Sequence, residues 1–134
     1  MRRQFQLPQN DVAYLDRLGR PWETIIEGGA RWLLLHEWPV PPGYNHQSVY
    51  IAVLIEPAYP DGQLDMVYTF PHLARADNMA IPSLSQHTID GKSFQRWSRH
   101  RTAANPWRPG IDDVEAHLLL ADSWFAREFL RRAA

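Results

Sequence analysis

Hydrophobic positions along the chain change their period several times, and each change marks an element. Val12, Leu15 and Leu18 recur at helical spacing behind Pro8, and Gly19 followed by Pro21 supplies a stop. This pattern predicts a short helix over residues 8–18. Trp22 to Glu27 and Ala30 to Trp38 are rich in bulky and β-branched residues and flank Gly28-Gly29, a hairpin signal because glycine accepts the positive φ of a tight turn. Pro39, Pro41, Pro42 and Gly43 form a loop, since proline cannot donate to a ladder. Ser48 to Glu56 and Leu64 to Phe70 predict a third and a fourth strand. Short connections between successive strands imply an antiparallel meander.

From Pro71 to Pro109 the periodicity fails, which predicts a long irregular segment, a feature that in a compact domain usually carries function. Asp112 and Asp113 open a helix on which Val114, Leu118 and Ala121 share a face, and Trp124 to Arg132 predicts a second helical segment with an arginine-rich end. The expected fold class is α+β: an N-terminal helix, a four-stranded antiparallel meander, the irregular segment, then C-terminal helices. The 134 residues fit one domain, 1–134.

Composition narrows the function classes. Fourteen basic and fifteen acidic side chains give a net charge of -1, which argues against nonspecific binding to nucleic acid or an anionic membrane. The longest apolar candidate, Trp32 to Leu35, is strand-sized, and no apolar stretch follows Arg2-Arg3, so neither a membrane span nor a signal peptide is expected and the cytoplasm is the default location. With no cysteine, the chain has no disulfide, thiolate metal site or thiol nucleophile. His36, His46, His72, His87 and His117 lack a recognised metal spacing and read as scattered structural or surface residues; neither metal nor cofactor is implied.

Pro57-Ala58-Tyr59-Pro60, directly after the third strand, resembles the Pro-x-x-Tyr-Pro signature of ubiquitin-conjugating enzymes, and Trp107-Arg108-Pro109 resembles their Trp-x-Pro element ahead of the later helices. The likeness runs from about Leu7 to Phe129. More narrowly, Asp65-Met66 and Trp97-Ser98-Arg99-His100 resemble the bacterial branch of that superfamily, which is encoded beside ubiquitin-like proteins and activating enzymes. The chain departs from the family in two ways: the catalytic cysteine is missing, and Pro71-His72 has the wrong order for the His-Pro-Asn motif and no asparagine beside it.

The resemblance implies a carrier for a ubiquitin-like protein, with that protein and its activating enzyme as partners. The family's nucleophile lies a little under ten residues before the Trp-x-Pro tryptophan, which points to Ser98, with Ser93 as second choice. A serine would hold the ubiquitin-like protein as an oxyester, or as a thioester where the natural protein has cysteine instead. A hydroxyl needs a neighbouring base, for which His100 is the candidate, and Arg99, with Arg96 and Arg101, is placed to stabilise an oxyanion. Two rivals stand beside this reading. One is a noncatalytic module that binds a ubiquitin-like protein or partner enzyme. The other is a histidine-dependent hydrolase, which requires at least two of His72, His87 and His100 to converge on a serine or an ion.

Overall fold

The computed structural model describes residues 1–130. Helix α1 (Gln9–Arg17) precedes six strands: β1 (Trp22–Glu27), β2 (Ala30–Pro39), β3 (Ser48–Leu54), β4 (Val67–Phe70), β5 (Leu84–Ile89) and β6 (Lys92–Trp97). Helix α2 (Val114–Arg127) follows and tightens into a 3-10 turn, Glu128–Leu130. All pairings in the single sheet are antiparallel, in the order β1-β2-β3-β4-β6-β5.

The first four strands form the expected meander, and Gly28 and Gly29 turn the first hairpin at φ 57° and 81°. Two expectations need correction. The sheet has six strands instead of four, because the segment expected to be irregular contains the β5–β6 hairpin. Its turn is Asp90-Gly91, both residues at positive φ (53° and 72°), as a two-residue hairpin whose twist matches the sheet requires. The C-terminal region also holds one α-helix through Trp124 to Arg127 rather than two. Ser123 sits inside it without breaking it, its hydroxyl donating back to Leu120 O at 2.6 Å. Arg131 and Arg132, the end of the expected second helical segment, lie outside the described residues.

The apolar strand residues serve two faces. On the first, Leu33, Leu35, Val49, Ile51, Val53, Val67 and Trp97 pack against Leu15 of α1 and Val114, Leu118, Ala121 and Phe125 of α2. An extra residue between Leu35 and Trp38 shifts the parity of β2, so that Trp38 joins Leu33 and Leu35 on this face. On the second face Ile25, Trp32, Leu34, Ala52 and Tyr68 meet Ile89 and Phe94 of the last hairpin. Such contacts between the two ends of the sheet require it to curl over that face. Polar contacts close the curl: Arg2 bridges Glu23 of β1 and Asp90 of the hairpin turn at 2.7 Å each, and Asp90 N donates to Glu27 Oε1 at 3.1 Å.

The two motifs singled out in the sequence touch each other. Trp107 Nε1 donates to Pro60 O at 3.1 Å, and the rings of Tyr59 and Trp107 meet edge to face at 6.0 Å. The Tyr59 hydroxyl donates to Asp11 Oδ2, while Asp11 Oδ1 accepts from Val114 N at 3.2 Å. One buried carboxylate thus joins α1, the Tyr-Pro turn and the first turn of α2, where Asp113 caps the helix by accepting from Ala116 N at 3.0 Å.

Candidate functional site

Strand β6 carries both candidate hydroxyls, Ser93 near its start and Ser98 just past its end. Five residues of extended chain separate them by about 16 Å. Each therefore has its own set of neighbours. Because β4 and β6 pair Val67 with Trp97 and Thr69 with Gln95, the residues after β4 lie beside Ser93 and those before β4 lie beside Ser98.

At the Ser93 end the chain leaves β4 through Pro71-His72-Leu73, and Gln95 holds that turn in place. The buried Gln95 Oε1 accepts from Leu73 N (2.9 Å), Thr69 Oγ1 (3.0 Å) and Trp97 Nε1 (2.9 Å), and its Nε2 donates to Leu73 O at 2.9 Å. Asn45 supports the same turn from the other side, accepting from Ala74 N at 2.8 Å and donating to His72 O at 3.3 Å. So fixed, the exposed His72 places Nε2 at 3.0 Å from Ser93 O and 3.3 Å from Ser93 Oγ. A carbonyl oxygen accepts only, so Nε2 carries a proton in this geometry and donates toward both oxygens.

At the other end Ser98 N donates to Ser83 O at 3.1 Å and Met66 N to Arg99 O at 3.2 Å. The Ser98 hydroxyl is half-buried and has no hydrogen-bond partner among the described residues. His100 turns to Asp65, with Nδ1 at 2.8 Å from Oδ2. The structure therefore brings His100 to a carboxylate and joins it by no hydrogen bond to Ser98. Arg99 donates to Pro82 O at 3.1 Å, pairs with Glu128 at 3.3 Å and lies over the Trp97 ring. The Arg101 side chain is covered between Asp112, at 3.8 Å, and the face of Trp107. Arg96 pairs with Tyr68 on the opposite face of the sheet from Gln95 and Trp97. The three arginines thus have separate destinations. Trp97 itself is fully buried against Phe125, anchoring the end of β6.

Beneath the Asp65–His100 pair, α2 contributes a histidine that the sequence did not single out. His117 is fully buried, donates from Nε2 to Met66 O at 2.8 Å, and packs edge-on against Trp124. Burial pushes its pKa down to about 4, so the ring is neutral. The convergence demanded by the hydrolase reading is absent: His72 lies on Ser93, His87 between Trp32 and Tyr68, and His100 on Asp65. Among the described residues no cluster of three or more histidine, aspartate or glutamate side chains could hold a metal ion, and no helix is long and apolar enough to cross a membrane.

This arrangement of helix, meander, Tyr-Pro turn and Trp-x-Pro element agrees with a family model: the prokaryotic E2 family E matches residues 7–128. The chain belongs to prokaryotic E2 family E. Its fold is consistent with the ubiquitin-conjugating type, and membership connects it with ubiquitin-like conjugation and, in general terms, with a ubiquitin-like protein and an activating enzyme as partners. No curated protein and no solved structure matches the chain. This member of the family has no cysteine.

The pairing of His72 with Ser93 is not visible in the sequence, where the two residues lie 21 positions apart. The available signal was Asp90-Gly91: a two-residue turn there fixes the register and sets Ser93 two positions past it, on the same face as Gln95.

Proposed function

We propose that the chain carries a ubiquitin-like protein as an oxyester on Ser93, between an activating enzyme and an amine acceptor. The observation that carries this reading is a hydroxyl paired with an imidazole where β4 ends, in a member of prokaryotic E2 family E. Pro71-His72 has the reverse order of the family's His-Pro-Asn motif and lacks its asparagine, so the reading rests on the contact of His72 with Ser93. Ser93 is preferred to Ser98 because its hydroxyl lies within hydrogen-bond reach of an imidazole, whereas the Ser98 hydroxyl has no hydrogen-bond partner among the described residues and His100 is engaged by Asp65.

In the first step Ser93 Oγ attacks the activated carbonyl carbon of the donor's terminal residue. The ester C–O bond forms as the bond to the leaving group on the activating enzyme breaks, and the hydroxyl proton passes through His72 to that leaving group. His72 takes the proton as the Nδ1–H tautomer, once Nε2 has let go of Ser93 O. In the second step the acceptor amine attacks the ester carbon and gives up a proton to His72 Nε2, the C–N bond forms, and Ser93 Oγ leaves and takes that proton from His72. Gln95 and Asn45 act as positioning residues for His72.

The test is charging with activating enzyme, ATP and a ubiquitin-like protein. The expected product resists thiol reductant, is absent in Ser93→Ala and persists in Ser98→Ala. The reverse pattern moves the attachment to Ser98, and a product unaffected by either change removes the oxyester reading.

A noncatalytic binding module is the second reading, favoured by the proton that Ser93 O imposes on His72 Nε2 in the resting geometry. Tight binding of a ubiquitin-like protein without ATP, and no covalent product under any condition, decides for it.

A further inference from the structure

The two edges of the sheet are treated differently. Along β1 the chain covers its own edge: Gln4 N donates to Thr24 O at 2.9 Å, Thr24 N to Arg2 O at 3.0 Å, and Ile26 N to Gln4 Oε1 at 2.7 Å. At the other edge β5 pairs with β6 alone. In a two-residue hairpin the residues flanking the turn, Ile89 and Lys92, exchange hydrogen bonds, and bonded pairs then alternate along the ladder. Ser85 and His87 therefore direct their N–H and C=O groups toward β6, while Leu84, Gln86 and Thr88 direct theirs outward. The bond from Ser98 N to Ser83 O keeps the same alternation. The outward groups have no hydrogen-bond partner among the described residues, and Gln86 and Thr88 are exposed.

An open edge is a template for strand addition, which proteins usually blunt with charge, proline or a bulge. The six residues of β5, Leu-Ser-Gln-His-Thr-Ile, include no charged residue and no proline, and their register with β6 is unbroken. This edge is also continuous with the site. Thr88 lies directly across from Ser93, and Gln86 across from Gln95, so the side chains of Leu84, Gln86 and Thr88 share the face of the candidate hydroxyl. At the Leu84 end a depression of about 320 Å³, lined by Leu73, Met79, Ile81 and Leu84 together with Arg75 and Asn78, offers a partly apolar seat.

We propose that the free edge of β5 binds the extended C-terminal tail of the ubiquitin-like donor as an added strand, parallel to β5, and so delivers its terminal carbonyl to Ser93. The inference rests on the carrier reading and names how the donor is held. Main-chain hydrogen bonds to Leu84, Gln86 and Thr88 supply affinity, and an apolar tail residue enters the depression near Leu84. An added strand lies about 9.6 Å from β6, two strand spacings away, and about three extended residues cover that distance to Ser93. Small terminal residues suit this crossing because they pass over Thr88 without a clash.

The probe is an acetylated octapeptide of alternating valine and threonine ending in Gly-Gly, added to the whole chain without ATP, with amide hydrogen exchange as the readout. Exchange at Gln86 and Thr88 is expected to slow at least tenfold, in wild type and in Ser93→Ala alike. Gln86→Pro removes an outward N–H and leaves the ladder to β6 intact, so it should abolish the protection and lower the charging rate at least tenfold. If Gln86→Pro loses the β6 ladder, seen as fast exchange at Phe94 and Arg96, Thr88→Pro takes its place. Unchanged exchange at Gln86 and Thr88 in wild type overturns the inference, as does charging of the proline variant at the wild-type rate, which leaves the carrier reading standing. Protection without any conjugate keeps the edge and removes the carrier chemistry.

Discussion

Two buried side chains set the behaviour of individual residues in this molecule. His117 is neutral when folded, with a pKa near 4 against about 6.5 for an unperturbed ring. Below pH 6.5 the unfolded chain takes up a proton that the folded chain refuses, so stability falls as pH drops from 6.5 toward 4 and this contribution levels off below. At pH 5 the loss relative to pH 7 amounts to about 2 kcal/mol. Urea unfolding at the two pH values should show it, and His117→Gln should remove about that much of the pH dependence; an identical slope in the variant would contradict the assignment. Asp11 is the other such residue, its carboxyl pushed up by desolvation and held by Tyr59 and Val114 N. Asp11→Ala leaves a buried hydroxyl and a buried N–H without partners and should cost about 3 kcal/mol, read from the shift in unfolding midpoint. Neither role was legible in the sequence. His117, three residues after Val114 and four before Ala121, lies on the apolar face of α2 by spacing, but spacing does not show that its ring meets the Met66 carbonyl, and Asp11 resembles an ordinary acid in the first turn of a helix.

Elements were legible in proportion to their apolar contrast. The Gly28-Gly29 hairpin, the apolar run of β3 and the Val114-Leu118-Ala121 face each place large side chains in a core, and each follows the period of its element. β5 has no such contrast, because an exposed edge strand can be polar along most of its length. Its only strong mark is Asp90-Gly91, and that turn was hidden inside a stretch where hydrophobic periodicity had failed. The same turn closes the curl of the sheet through Arg2, whose guanidinium is the main cause that lowers Glu23 to about 2. Arg2 is partly exposed, so Arg2→Ala should cost under about 1 kcal/mol of global stability. It should instead speed amide exchange locally at Asp90 and Gly91. Loss of protection throughout β6 would show that the contact supports more than the tip.

At the scale of the whole molecule, the order of helix, meander, Tyr-Pro turn and Trp-x-Pro element was readable because each motif has a structural duty: Tyr59 and Trp107 lock the meander to the start of α2. The proposed site was less readable. Counting back from Trp107 leads to Ser98, while long-range pairing of β4 with β6, which no local spacing encodes, brings His72 to Ser93 at the opposite end of the same strand. The most direct test of the central claim is to map the attachment site by peptide mass spectrometry after charging with activating enzyme, ATP and a ubiquitin-like protein. The account predicts a hydroxylamine-labile, reductant-resistant ester on the peptide containing Ser93, with the donor's C-terminal residue on that hydroxyl. An adduct on any other residue, or none while the same activating enzyme charges itself, would contradict it.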